Sequence, residues 1–413
     1  MALSDLGLNA SNARVLVLRE YETSQAVALD QAQLALLTSL PAGRLEVRPT
    51  GTVGEYQLRS SSWIGSVALP DLTVRVLPKV EDLRNVLMMF GASAGLTDWQ
   101  PTLVGYRQDD LVDAVADLAL RTISAATRRG LVHGYRSTEE RLPVIRGRLD
   151  VQQLASRPWD IWPTPCRYDD FTADIPENRV LLAATTLLRR VVGNTETRRT
   201  IAELTQTLGG VGASQMPLME LDTVRLSPVN EHYGPALALS RLVLEGVGLT
   251  HAHGHHQAVT FLIDMNKLYE RWIGAELTQR LWPELEVDEQ APVPLSNKPR
   301  VTMAPDLVFR RGGRTVAVAD VKYKLIDDGL GRTPDYYQLL AYATALGLPA
   351  GLLIYCRADQ APERVITVVG GGQRLHTQPV DLSGGWSDVS ASLDTLAASI
   401  RTLASAEPQG ATT

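Results

Sequence analysis

The sequence predicts an α+β protein of several domains: a β-rich N-terminal module, a mainly helical middle region, and a C-terminal α/β domain with a central mixed sheet. Three observations predict it. Residues 14–80 alternate short β-like runs with Pro, Gly and Asp turns. From about 108 to 250, apolar residues recur at three- and four-residue spacing. Beyond the segment HAHGHHQ the pattern becomes helix, strands, helix, strand, strand, the order of a mixed α/β domain.

Taken in order, the runs RVLVL, RLEVRP, EYQLRS, SVALP and LTVRVLP predict a small antiparallel module, with a helix beginning near Glu81. Helices are expected over 109–129, 177–192 and 233–246, the first two separated by a polar, Pro- and Trp-containing connector at 157–176. The last third should contain a helix over 261–281, β-runs at 285–287, 305–310 and 315–321, a helix over 332–346, and strands at 351–355 and 364–369. The expected division is therefore 1–255 (β-rich over 1–90, mainly helical over 91–255), a domain over 256–400, and a frayed tail over 401–413.

Composition narrows the function. The 413 residues are 45% hydrophobic and 21% charged, ordinary for a globular chain with several cores. The N-terminus lacks a basic segment leading into an apolar run, and no stretch of about 18 uninterrupted apolar residues occurs, so a cytoplasmic protein without membrane attachment is expected. Cys166 and Cys356 are the two cysteines and form no CxxC or Cys/His ligand pattern, which argues against a disulfide framework or structural zinc. Net charge is −6, and residues 256–413 hold 15 Lys and Arg against 18 Asp and Glu, so the C-terminal part is not basic either. Nonspecific DNA affinity comes mainly from neutralising phosphates, so a chain this acidic should bind DNA weakly alone and need delivery by something else. No GxxxxGK[ST] loop is present, so the chain should not hydrolyse a nucleotide.

The stretch APDLVFRRGGRTVAVADVKYK carries the chemistry. Asp306 precedes a β-run, Gly312 and Gly313 reverse the chain, and the second run ends in Asp320-Val321-Lys322. Such a hairpin brings the two carboxylates together, and alternation along the strand puts Asp320 and Lys322 on one face with Val321 behind. Two carboxylates beside a lysine make a hard-oxygen site for Mg²⁺, with the lysine able to orient or deprotonate a water for in-line attack on phosphorus. The same residues also fit a surface hairpin closed by an ordinary salt bridge. Two flanking features favour the chemical reading. Glu270 shares a helical stripe with Ile263, Ile273 and Leu277, which should turn it inward, where a carboxylate needs a cation or donor. Gln338 and Tyr342 lie four apart on a helix, placed to buttress the lysine or touch a phosphate, or else to make an interhelical hydrogen bond.

The order Glu270, Pro305-Asp306, Asp320-Val321-Lys322, Gln338-x-x-x-Tyr342 resembles the PD-(D/E)xK nuclease superfamily. The fuller resemblance is to the McrC family, nuclease subunits of McrBC-type restriction systems. It is carried by GSVALPDLTVRVLPKVEDLRNVLMMF (65–90), IRGRLDVQQLASRPWDIWPTPCRYDDFTADIPENRVL (145–181) and FLIDMNKLYE (261–270), and reaches from about residue 60 to 356. The resemblance implies a C-terminal PD-(D/E)xK fold. Asp306, Asp320 and the Val321 carbonyl would bind Mg²⁺, Lys322 would be the catalytic lysine, and Glu270 an additional acid. Gln338 and Tyr342 would support them. It also implies an McrB-like hexameric AAA+ GTPase as partner, which binds the GTP, is docked on and stimulated by residues 1–255, and reads modified double-stranded DNA. Two other readings stand beside it: a stand-alone repair nuclease of the same fold, and a noncatalytic regulator of a GTPase.

Four of the seven histidines lie at His251, His253, His255 and His256, a cluster read as a polar interdomain loop or a transition-metal site. Arg128-Arg129 and Arg189-Arg190 end predicted helices, where positive charge suits the dipole. Trp159 and Trp162 serve either a core or a protein interface.

Overall fold

The computed structural model describes residues 14–80, 82–96, 111–251, 257–294, 302–324, 333–357 and 364–405. It is a mixed α/β protein with several sheets, both parallel and antiparallel pairs among them. The chain forms two compact units. Among the described residues, one holds 112–249 and 259–261, and the other holds those from 14 to 111, from 250 to 258 and from 262 onward. The N-terminal β-rich module therefore shares a unit with the C-terminal domain, a different partition from the division at 255 expected from sequence.

Within the discontinuous unit, Trp63–Leu69 and Leu72–Leu77 form an antiparallel hairpin, but Arg14–Arg19 pairs with Leu72–Leu77 in parallel, Arg14 opposite Leu72. The expected all-antiparallel module is corrected here: a parallel pair needs a long crossover, and residues 20–71 supply it. That crossover includes the helix Gln31–Thr38, which sequence reading missed, capped by a reciprocal Asp30–Gln33 capping box. The apolar side of this module (Leu18, Leu36, Leu58, Val67, Val74) packs with Ala258 and Leu262 from the later segment. Asn85, in the helix Leu83–Ser93, donates to the carbonyl oxygens of Leu382 and Gly384 at 3.3 and 2.8 Å.

The central sheet runs Glu286–Glu289, Leu307–Arg311, Arg314–Lys322, Ala350–Arg357, Arg374–Asp381, Arg364–Thr367. The second to third and third to fourth neighbours are antiparallel and parallel respectively, so the sheet is mixed as expected. The helix Thr333–Ala345 packs its Leu339 and Ala343 against Val318 and Leu353. Gly351 permits the approach, since a Cβ there would meet Leu339 at 2.8 Å. Tyr269 of the helix Met265–Leu281 packs on Tyr323 from the other side, and Trp272 meets Trp386 of the terminal helix Trp386–Ser405. Residues 261–264 are strand rather than the expected helix: the strand Gln257–Asp264 ends where Asp264 caps the following helix. Arg374–Asp381 and the terminal helix were not expected, and residues 401–405 are helical rather than frayed.

In the other unit, helices Leu111–Thr127, Pro176–Val191, Thr195–Thr207 and Gly234–Gly246 bury Leu118, Leu181, Leu204 and Leu239. Arg189 and Arg190 occupy the last turn of their helix, as expected. The region is mainly helical as expected, but a three-stranded sheet orders Gly134–Leu142, Thr164–Thr172, Arg148–Leu149, so the connector expected at 157–176 is corrected to a strand over most of its length. These strands are polar (GYRSTEERL, TPCRYDDFT) and show no apolar alternation to betray them. Asp174 ties the unit together. It accepts two hydrogen bonds from Arg179 at 2.6 and 2.7 Å and one from the Gly212 N–H at 2.9 Å. Those donors, Arg179 first, hold its carboxyl down at about 2.

Cys166 and Cys356 are buried and free. Apart from the backbone of His251, the histidine cluster lies outside the described residues. Among the described residues, no helix is long and apolar enough to cross a membrane.

Candidate active site

Gly312 and Gly313 form the two-residue turn of the central hairpin, with φ of +57° and +78°. Glycine adopts this left-handed backbone without a Cβ clash, and paired positive angles match the twist of the flanking strands. The hairpin places Leu307 opposite Ala319. Asp306, immediately before the first strand, is thereby set beside the Asp320–Lys322 end of the second. Its Oδ2 accepts from the Val321 N–H at 2.8 Å, and its Oδ1 from the Gln290 side-chain amide at 2.9 Å. The Gln290 N–H also donates to the Asp306 carbonyl at 3.1 Å.

Alternation puts Asp320 and Lys322 on the sheet face that bears Val318, with Val321 and Tyr323 on the opposite one. Asp320 is 0% exposed. Lys322 Nζ lies 2.7 Å from Asp320 Oδ2 and 3.9 Å from Asp306 Oδ2. The close contact is an ion pair by distance, yet neither Asp320 oxygen accepts a well-directed hydrogen bond among the described residues. Burial, and then the Asp306 charge, push the Asp320 carboxyl above the ordinary carboxylate range. For Lys322, burial disfavours the ammonium, but the close Asp320 carboxylate, with Asp306 and Asp335, outweighs it and raises its pKa.

Glu270 lies half-buried on the helix Met265–Leu281, with Ile273 and Leu277 of its stripe fully buried. Its carboxyl is pushed up to about 7, by burial first and by the Asp306 charge second, with Lys322 opposing. It therefore faces the cluster. No group of three or more His, Cys, Asp or Glu among the described residues is arranged to hold a metal ion. Gln338 donates to the Tyr342 hydroxyl at 2.7 Å, and that hydroxyl donates to the Ala304 carbonyl at 3.4 Å. The pKa of Tyr342 is raised by burial and by the Asp320 and Asp306 charges, so it borders the cluster.

Three contacts escaped sequence reading. Gln290 orients Asp306 from 16 residues upstream. Lys324 donates to both oxygens of the buried Asp335 at 2.9 and 3.0 Å, and the Tyr355 hydroxyl donates to Asp335 at 2.7 Å. The second lysine of Lys322-Tyr323-Lys324 was the one local signal for that group.

Two carboxylates, Asp306 and Asp320, against Lys322 leave excess negative charge, and the buried Asp320 Oδ1 has no partner among the described residues. This donor set fits a hard divalent cation such as Mg²⁺, which keeps several waters and takes one or two carboxylates. Asp306, Asp320 and the Val321 carbonyl are the groups that would hold it.

Residues 58–356 match the family model described as McrBC 5-methylcytosine restriction system component. The chain belongs to the McrBC family. It is thus a restriction-system component by membership. Its fold is similar to a chain in the half-complex of Thermococcus gammatolerans McrB AAA+ hexamers with bound McrC, at a TM-score of 0.55 and 17% identity, covering 93% of this chain and 100% of that one. A chain of the Thermococcus gammatolerans McrBC complex aligns at a TM-score of 0.43 and 18% identity, covering 65% of this chain and 88% of that one. No curated protein matches. At these identities the first likeness bears on the McrBC fold alone.

Proposed function

We propose that this McrBC-family chain is the Mg²⁺-dependent DNA endonuclease subunit of a restriction complex, with a PD-(D/E)xK nuclease domain in its C-terminal part. The observation that carries the reading is the buried Asp320 beside Asp306 and paired with Lys322, its Oδ1 without a partner among the described residues. Bound Mg²⁺ would supply Lewis acidity toward a phosphodiester and an acidified water. Lys322, held protonated by its two carboxylates, donates a hydrogen bond to the attacking water or to a phosphate oxygen and balances charge that develops in the transition state. Glu270, with a carboxyl near 7, is suited to accept a proton at neutral pH. Tyr342, braced by Gln338, closes the side of the cluster next to Ala304.

The partner is an McrB-like AAA+ GTPase hexamer that binds the GTP, and the substrate is modified double-stranded DNA in the cytoplasm. The net charge of −6 supports delivery by such a partner, because the chain has little excess cation to hold phosphates itself. The docking surface lies within residues 112–249. Trp159 and Trp162 there are 80% and 68% exposed, and Tyr135 and Phe171, opposite one another in the sheet, are exposed too, an aromatic content that marks protein interfaces. The test is cleavage of methylated DNA by the chain with its partner, GTP and Mg²⁺, against the same mixture containing Asp320→Ala. Equal cleavage by the two rejects the assignment.

A further inference from the structure

Behind the Asp320–Lys322 face lies a set of polar contacts that the proposed chemistry does not use. Tyr323 follows Lys322 and, by alternation, points to the opposite face, where it is buried. Its ring centre lies 5.5 Å from that of Tyr269, the residue before Glu270. Its hydroxyl donates to Glu20 Oε2 at 2.9 Å. The same oxygen accepts from the Lys79 backbone N–H at 2.7 Å, and Lys79 Nζ sits 4.6 Å from the centre of the Tyr323 ring. Glu20 is thus anchored by the backbone just beyond Leu72–Leu77, independently of the nuclease motifs. It is buried, and its Oε1 has no partner among the described residues. An unmatched buried carboxylate oxygen costs stability, and an apolar residue would fill the space at less cost. What the carboxylate supplies is a directed acceptor for one hydroxyl at the end of the Asp320–Lys322 strand.

We propose that Glu20 is a positioning residue for the nuclease site, acting through Tyr323 to fix the strand end that carries Asp320 and Lys322. Through the Tyr323–Tyr269 ring contact it also steadies the helix that carries Glu270. The inference rests on the nuclease reading above. Its leverage comes from proximity: Tyr323 adjoins Lys322, and a shift of about 1 Å at a reacting group can cost roughly 10²-fold in rate.

The test compares DNA cleavage by the full-length chain with its AAA+ partner, at saturating Mg²⁺, for the parent, Glu20→Ala, Glu20→Gln, Tyr323→Phe and the Glu20→Ala/Tyr323→Phe double variant. Glu20→Ala and Tyr323→Phe should each slow cleavage at saturating DNA about tenfold, with the half-saturating DNA concentration unchanged. Glu20→Gln keeps an acceptor at the Oε2 position and should stay within about twofold of the parent. The double variant should be no slower than the slower single one, because both act on one contact. If Glu20→Ala fails to fold, Tyr323→Phe carries the test, since it removes a single hydroxyl. Parent-like rates in the folded variants, independent losses in the double variant, or a Glu20→Gln rate as low as that of Glu20→Ala each overturn the proposal and leave the nuclease reading standing. A parent that does not cleave overturns the nuclease reading and this proposal with it.

Discussion

Asp306 Oδ2 accepts the backbone N–H of Val321 at 2.8 Å, which ties the first acidic residue of the site to the peptide between Asp320 and Lys322. One side chain thus serves both as a charge and as a clamp on the neighbouring strand. The two roles separate by substitution. Asp306→Asn keeps an acceptor for Val321 and loses the charge, so it should fold as well as the parent while cleavage falls about 10²–10³-fold. Asp306→Ala also leaves the Val321 N–H unmatched and should unfold about 1–3 kcal/mol more easily than Asp306→Asn. Chemical denaturation of both variants beside a cleavage assay checks the pair.

Metal binding should be visible without any cleavage. A ligand that binds the folded state raises the melting temperature, so Mg²⁺ should stabilise the parent and have no such effect on Asp320→Asn. Lys322→Met removes a positive charge 2.7 Å from Asp320 and should retain or strengthen Mg²⁺ affinity while cleavage falls at least about 10²-fold. Calorimetric titration of Lys322→Met showing lost affinity would move the lysine to a structural role.

Glu20 predicts a pH dependence of stability. Its carboxyl is raised from 4.5 to about 7, mainly by burial, with Lys79 opposing. Below 4.5 the group is protonated in both the folded and unfolded chain and contributes nothing. Between 4.5 and 7 the folded chain keeps a proton that the unfolded chain releases, so stability falls as pH rises across that window. The full loss, complete above 7, is on the order of 3 kcal/mol. Glu20→Gln should remove this share of the decline, which denaturation midpoints at pH 5 and pH 8 would measure. A decline as steep as the parent's would show that Glu20 does not titrate as described.

The compact unit over residues 112–249 should fold alone and stimulate the GTPase partner without cleaving DNA. A fragment of residues 1–255 should fold less well, because it separates Leu18, Val67 and Val74 from the Ala258 and Leu262 they pack with. The partner's GTPase rate with each fragment is the measurement. Acceleration confined to a fragment lacking 112–249 would put the docking surface elsewhere.

Local signals explain what the sequence disclosed. The hairpin was legible because Gly312 and Gly313 interrupt two apolar alternations, and the Asp306, Asp320 and Lys322 cluster follows from its register. The strand Thr164–Thr172 was illegible because its pairing with Gly134–Leu142 joins polar residues with no period-two apolar pattern. The parallel pairing of Arg14–Arg19 with Leu72–Leu77 spans a crossover whose direction no local turn encodes. Gln290 and Glu20 were missed for a related reason: each meets its partner through the fold, 16 and 303 residues away, and neither sits in a motif of its own.

The division of one compact unit between the two ends of the chain sets an order on biosynthesis. At about 5–20 residues per second, roughly 15 to 65 seconds of translation separate the emergence of the N-terminal module from that of the later strands and helix it accompanies. During that interval the inserted unit is free to fold while the module waits with its apolar underside uncovered, a natural client for a holding chaperone. The acidic hairpin is closed by Ala350–Arg357 and covered by Trp386–Ser405, both made after it. A nascent chain would therefore carry its inserted unit folded before its acidic site is armed.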